Sequence, residues 1–150
     1  MIEIKKKLHS ICVERISQKL FQTNEDIKKA QESANSDTKS SMGDKYETGR
    51  AMAQLEIEKS TIQKVEFESQ LQILDRIANF RNTEIVTNGS LVICNTGTYY
   101  ISTSAGLITL ENEKYYAVSA ISPLGKELIG LKKGGKLLFN GKNIEVLEIM

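Results

Sequence analysis

Val13, Ile16, Leu20, Thr23, Ile27, Ala30 and Ala34 recur at spacings of 3, 4, 3, 4, 3 and 4, the pattern of an a/d seam along one face of a helix. The spacing predicts one helix over residues 2–35, roughly 50 Å long at about 1.5 Å per residue. Such a helix must bury its stripe against something of similar length. Phe67, Leu71, Leu74 and Ala78 repeat a 4, 3, 4 spacing, with Leu55, Ile62 and Val65 as a neighbouring apolar row, so a second helix is expected from about residue 45 to 80. Between them lies the polar run Ser36-Asp-Thr-Lys-Ser-Ser-Met-Gly-Asp-Lys-Tyr-Glu47. One unbroken helix would place Gly43 in its interior, which costs about 1 kcal/mol relative to Ala, and its serines would compete for the backbone. Two helices joined there bury their stripes only by running antiparallel. Ala30, Ala34, Ala51 and Ala53 replace larger side chains toward the connection, so the hairpin is expected to taper to a thin end.

From Glu84 the period becomes that of strands. Eight of the ten glycines follow residue 88, and they punctuate short β-rich runs: Ser90–Cys94, Thr98–Ser102, Leu107–Leu110, Lys114–Val118, Lys136–Phe139 and Asn143–Ile149. Asn95-Thr-Gly97, Ser104-Ala-Gly106 and Asn140-Gly141 read as hairpin turns. Ser122-Pro-Leu-Gly-Lys-Glu-Leu-Ile-Gly130 has a Ser cap, Pro at the first helical position and a closing Gly, hence one short helix. The expected class is α+β: a helical hairpin over 1–80 with its tip at about 36–47, then an antiparallel β domain over 84–150.

Composition narrows the functions. Lys and Arg number 20 against 19 Asp and Glu, a balance that leaves no electrostatic footprint for stable DNA binding alone or for a membrane surface. Cys12 and Cys94 form no metal-ligand spacing, which fits a reduced, cytoplasmic protein. No run of about 18 apolar residues occurs, so neither export nor a membrane span is expected. His9 and Cys12 share a helical face, but one turn supplies two ligands and no further His or Cys completes a site. Of Tyr99, Tyr100, Tyr115 and Tyr116, strand alternation sends one of each pair inward. No aromatic pocket lining is legible.

The tip carries the chemistry. Asp44-x-x-Glu47 can be a capping box that satisfies free N–H groups and complements the helix dipole. The other reading is a pair of hard oxygen ligands for a divalent cation that completes its shell with water and phosphate. Lys39, Lys45 and Arg50 around it read as a solvated helix end or as charges that steer the tip along nucleic acid.

Two separated segments, Gly43-Asp44-Lys45-Tyr46-Glu47 and Ser122-Pro123-Leu124-Gly125-Lys126-Glu127-Leu128-Ile129-Gly130, resemble the Gre-type transcript cleavage factors of bacterial RNA polymerase. That family joins a coiled-coil hairpin with an acidic tip to an FKBP-like domain bearing the Ser-Pro-hydrophobic-Gly helix. Where its tip carries a further acid, this chain has Thr48-Gly49-Arg50. The resemblance implies a non-enzymatic elongation factor in the cytoplasm. Its β domain would dock on RNA polymerase through Ser122, Pro123, Leu124 and Gly125, and its hairpin would enter the secondary channel. Asp44 and Glu47 would then share a Mg²⁺ with the polymerase active centre, meet the nascent RNA 3′ end indirectly, and promote cleavage of backtracked RNA. Two other readings stand beside it: a channel-binding regulator without cleavage activity, and a plain FKBP-like interaction module or weak prolyl isomerase.

Overall fold

The computed structural model describes residues 2–37 and 43–150, apart from the side chains of 36, 37 and 43–46. The fold is α+β: two long packed helices form a hairpin, followed by a six-stranded mixed sheet and one short helix. Helix α1 runs Ile2–Asp37 and α2 runs Gly43–Arg76. The second helix stops short of residue 80 because residues 77–79 form a turn and Phe80 takes a positive φ of 49°, which an α-helix does not accommodate. The chain divides into two compact units, Met1–Arg15 with Gln70–Met150, and Ile16–Ser69. The beginning of α1 and the end of α2 thus belong to the sheet-bearing unit.

In that unit the strands are β1 (Leu91–Cys94), β2 (Gly97–Ser102), β3 (Gly106–Leu110), β4 (Glu113–Ser119), β5 (Lys136–Phe139) and β6 (Lys142–Ile149), with α3 (Pro123–Leu128) between β4 and β5. Their order is β3-β4-β2-β1-β6-β5. The sheet is not wholly antiparallel, as the sequence suggested: β2 and β4 are parallel, with Tyr99 beside Tyr116 and Tyr100 beside Ala117. The cause is the β3–β4 hairpin, closed by Glu111 and Asn112 at φ 53° and 66°, the left-handed pair that a tight two-residue hairpin turn requires. Since β3 lies at the edge, the chain leaving β2 skips one place and returns through β4 in the direction of β2. Ser104-Ala-Gly106 therefore carries a crossing and not a hairpin turn. Asn95–Thr96 does join the β1–β2 hairpin, and Asn140–Gly141 (φ 50° and 76°) closes β5–β6.

One face of the sheet packs Val86, Val92, Cys94, Tyr99, Ile101, Leu128, Ile144 and Val146 into a core. Strand alternation turns Tyr100 and Ser102 to the other face, which the start of α1 covers. There Cys12 Sγ lies 3.8 Å from Ser102 Oγ, and both residues are buried. Both Tyr99 and Tyr100 are consequently buried, whereas on β4 Tyr115 is buried and Tyr116 exposed. The expectation of one inward ring per pair fails for β2 because this central strand has no solvent face. Arg15 Nη1 donates to the carbonyls of Ala105 (3.1 Å) and Leu107 (2.6 Å), occupying acceptors at the β3 edge that would otherwise invite another strand. Gln70 Oε1 accepts from the backbone N–H of Ser104 at 3.2 Å and its hydroxyl at 3.1 Å. His9 belongs to this packing too: its Nε2 is 2.7 Å from the Leu74 carbonyl and its ring meets Phe80 edge-on at 5.3 Å.

The unit Ile16–Ser69 is held differently. Ile16, Thr23 and Ala30 of α1 are buried, with Leu20 and Ile27 half-buried, so the α1 seam follows the predicted spacing. On α2 the inward residues are Ala53, Ile57, Ser60, Lys64 and Phe67, spaced 4, 3, 4, 3. Leu55, Ile62 and Val65, read from sequence as a neighbouring apolar row, are exposed instead, as is Ala51. A period of 3.6 cannot turn both rows toward a single partner helix.

Candidate functional site

The tip is built by the start of α2. Because that helix opens at Gly43, Asp44 and Glu47 lie in its first turns, three residues apart and so on neighbouring positions of one side. The register also bears on the capping reading: Asp44 falls inside the helix and not at the residue before it. Lys39 lies outside the described residues, and Asp44 and Lys45 are described as helical backbone only. Glu47 and Arg50 are exposed. They line one shallow depression of about 380 Å³ with Ala51 and Gln54. Arg50 and Gln54 also border a groove of about 490 Å³ with Gln31, Ala34, Asn35 and Ile57. A carboxylate and a guanidinium thus share one surface near the tip, a juxtaposition suited to a phosphate ester and a cation together. Among the described residues no group of three or more His, Cys, Asp or Glu is placed to hold a metal ion. Two hard carboxylate oxygens on one helix suit Mg²⁺ as part of a shell, the remainder being water or a partner's oxygens.

On the sheet-bearing unit, the four residues expected to dock a partner divide into two kinds. Ser122 and Gly125 work inward. The Ser122 hydroxyl donates to the Ser119 carbonyl at 2.6 Å and accepts from the Gly125 N–H at 3.0 Å, capping α3. A Cβ at Gly125 would collide with the Ser119 carbonyl oxygen, so only glycine permits this approach. Pro123 is exposed, and Leu124 is half-buried and packs against the edge of the core.

Leu124 lines a cleft of about 300 Å³ with Thr96, Tyr99, Tyr116, Phe139, Asn140, Lys142 and Ile144. Its floor is aromatic: the Tyr99 and Tyr116 rings lie 5.7 Å apart, and Tyr99 Oη is fixed 3.0 Å from Thr96 Oγ1. This lining is not legible from the residues in order, since its rings come from three strands brought together only by the parallel β2–β4 pairing and the β5–β6 hairpin. Ile121, which is 71% exposed beside the cap, is another residue the sequence reading passed over. Its signal was present: a hydrophobic residue before an N-cap usually packs on the fourth helical residue, and here that residue is Lys126.

Neither cysteine is built for reactivity. Burial raises the Cys12 thiol above its ordinary range, and it raises that of Cys94 to about 11, so neither is a thiolate at neutral pH. The Tyr100 hydroxyl is buried with no hydrogen-bond partner among the described residues. Its pKa is raised by burial and then by the nearby Cys12. Among the described residues no helix is long and apolar enough to cross a membrane.

No family model matches the chain, and no curated protein shows significant sequence similarity to it.

Proposed function

We propose that the chain is a Gre-type factor of RNA polymerase, inserting its helical hairpin into the secondary channel and docking through an FKBP-like β domain. The observation that carries this reading is the start of α2 at Gly43, which sets Asp44 and Glu47 in its first turns directly after the interhelix connection. A hairpin about two helices wide, roughly 20–25 Å across with its side chains, brings carboxylates into a passage too narrow for a globular domain. Bound there, Mg²⁺ would supply positive charge to the attacking and leaving oxygens of an in-line phosphoryl displacement. The role of the chain is to present two oxygen ligands, with Arg50 beside Glu47 to pair with RNA phosphate. The aromatic cleft at Leu124, with Lys142 on its rim, is the surface assigned to polymerase docking.

A stalled, backtracked elongation complex tests this directly. The native chain is expected to shorten RNA 3′ ends, most visibly at low Mg²⁺. The variant Asp44→Asn with Glu47→Gln keeps size and most hydrogen-bonding capacity while removing two charges. It is expected to lose cleavage, to retain polymerase binding, and to melt within about 1 kcal/mol of the native chain. Full cleavage by a folded, bound double variant would refute the carboxylate role. The absence of a further acid at Thr48-Gly49-Arg50 favours the second reading, a channel regulator without cleavage. Polymerase binding by the native chain with unchanged RNA 3′ ends would select it, and no polymerase binding would leave the interaction module.

A further inference from the structure

The sheet-bearing unit has a pocket of about 360 Å³ where α2 ends, walled by the chain at 76–81 on one side and the turn at 87–90 on the other. Buried Ile77 is its apolar floor, and Arg76, Asn79, Arg81, Thr87 and Asn88 stand around it. The charged residues of this lining are arginines alone. Neither guanidinium has an ion pair or hydrogen bond to another described residue, although Asp75 and Glu84 are close in sequence. The walls are fixed from within. Gly89 donates its N–H to the Ile101 carbonyl at 2.7 Å, and Ser90 Oγ accepts from the Thr87 N–H at 3.0 Å. A Cβ on Gly89, at its φ of 90°, would stand 3.2 Å from Ile77 Cβ, so glycine lets the turn close on the floor. Across the pocket the Ile73 and Asp75 carbonyls accept from the Ile77 and Ala78 N–H groups, and the Leu74 carbonyl accepts from His9. The negative end of α2 is thus covered by internal donors.

A third cation adjoins this wall. The Lys5 amine donates to the Arg81 carbonyl at 3.0 Å and so anchors the backbone that carries the Arg81 side chain. Lys5 is fully buried and has no carboxylate partner among the described residues, and its burial lowers its pKa with no acid to offset that cost. Buried charges are ordinarily paired, and an anion held at Arg81 brings the missing negative charge toward this one. We infer that the pocket binds the phosphate group of a phosphate ester, with the Arg76 and Arg81 guanidiniums on its anionic oxygens and the Asn79, Asn88 and Thr87 side chains as neutral donors. A carboxylate has one charge and two oxygens, which a single guanidinium fork saturates. Two forks match a dianion with three terminal oxygens, the form of a phosphate monoester near neutral pH. The site stands independently of the polymerase reading, and the free chain tests it alone.

Amide NMR of the full chain, titrated with inorganic phosphate at constant ionic strength, is the test. Saturable shifts are expected at Asn79, Arg81, Asn88 and Gly89, and replacing phosphate by chloride should remove them. Arg76→Gln with Arg81→Gln is expected to weaken binding by about tenfold or more, since charge-assisted hydrogen bonds are lost, with unchanged helicity. Lys114→Gln with Lys136→Gln removes the same charge from exposed strand positions outside the pocket and should leave binding as it is. A nucleoside 5′-monophosphate and a short oligonucleotide lacking a terminal phosphate then identify the source of the group. Tighter binding of the monophosphate assigns a small ester, and tighter binding of the oligonucleotide assigns a nucleic-acid backbone. Shifts that fail to saturate, shifts spread over the lysine-bearing surface, or an equal loss in the two double variants would overturn the proposal.

Discussion

The two ends of α2 illustrate two ways of burying a helix. Near its C-terminus, Gln70, Leu74 and the following Ile77 are buried in the unit that also holds the sheet. In the unit Ile16–Ser69 the same helix buries Ala53 and Ser60, half-buries Ile57, and leaves Met52, Leu55, Ile62 and Val65 in solvent. The first environment offers a partner on several sides; the second offers one helix. What a heptad-like sequence means thus depends on how many surfaces are present to receive its apolar positions.

The largest effect separating these regions is expected in the sheet core. Leu128 is fully buried among Val86, Ile101 and Val146, so Leu128→Ala should lower stability by about 2–5 kcal/mol through lost burial and a residual cavity. Gly125→Val should be at least as damaging because its Cβ has no room beside the Ser119 carbonyl. Urea unfolding followed by near-ultraviolet circular dichroism measures both. A loss below about 1 kcal/mol for Leu128→Ala would mean that α3 is not part of this core.

Next comes an alkaline limit set in the sheet-bearing unit. The folded-state pKa of Cys94 is raised from 9.0 to about 11 by burial, so its contribution is fully present below about pH 9 and is lost as pH rises toward 11. Each pH unit of that gap is worth about 1.4 kcal/mol, or roughly 2–3 kcal/mol in all. The raised Cys12 and Tyr100 act in the same direction. Buried Lys5, whose amine donates to the Arg81 carbonyl at 3.0 Å, has a lowered pKa and acts oppositely, its penalty being relieved as pH rises. Stability from pH 8 to 11 should therefore fall overall, and Cys94→Ala should flatten part of that slope. An unchanged slope in this variant would count against a buried, protonated thiol.

Much of this organisation was legible in the residues. The α1 seam, the interhelix break, the six strands and the Ser122–Pro123 helix start all follow from local period and local turn chemistry, which are written within a few residues of one another. The inward row of α2 was legible at Phe67, Leu71 and Leu74, which are half-buried or buried, but not in the part of the helix before them. Ala53, Ser60 and Lys64 carry little apolar signal, whereas Leu55, Ile62 and Val65 carry much, so hydrophobicity pointed to the outer face. The parallel β2–β4 pair and the aromatic cleft were also hidden, because both depend on which strands become neighbours across long stretches of chain. At the tip, the acidic pair and Arg50 were readable as types at a spacing. Their meeting with Gln54 on one surface needed the helix register.

A smaller effect probes the buried face of β2. Tyr100→Phe removes a hydroxyl that has no hydrogen-bond partner among the described residues while keeping the ring that fills the space under α1. Deleting an unmatched buried polar atom should be neutral or stabilising, by up to about 1 kcal/mol. A loss of more than about 1 kcal/mol on calorimetry would show that the hydroxyl is satisfied by ordered water in solution.

The smallest expected change is also the most informative about α2. Ile62→Ala removes a side chain that is 73% exposed, so in dilute solution it gives up little burial. Ala is the better helix former by a few tenths of a kcal/mol, and the variant should melt at or slightly above the native chain. Ile16→Ala, at the fully buried position of the α1 seam, should cost about 2–5 kcal/mol in the same thermal melt. If Ile62→Ala cost a comparable amount, residue 62 would have to face α1, and the placing of Leu55, Ile62 and Val65 on the outer side of α2 would fail.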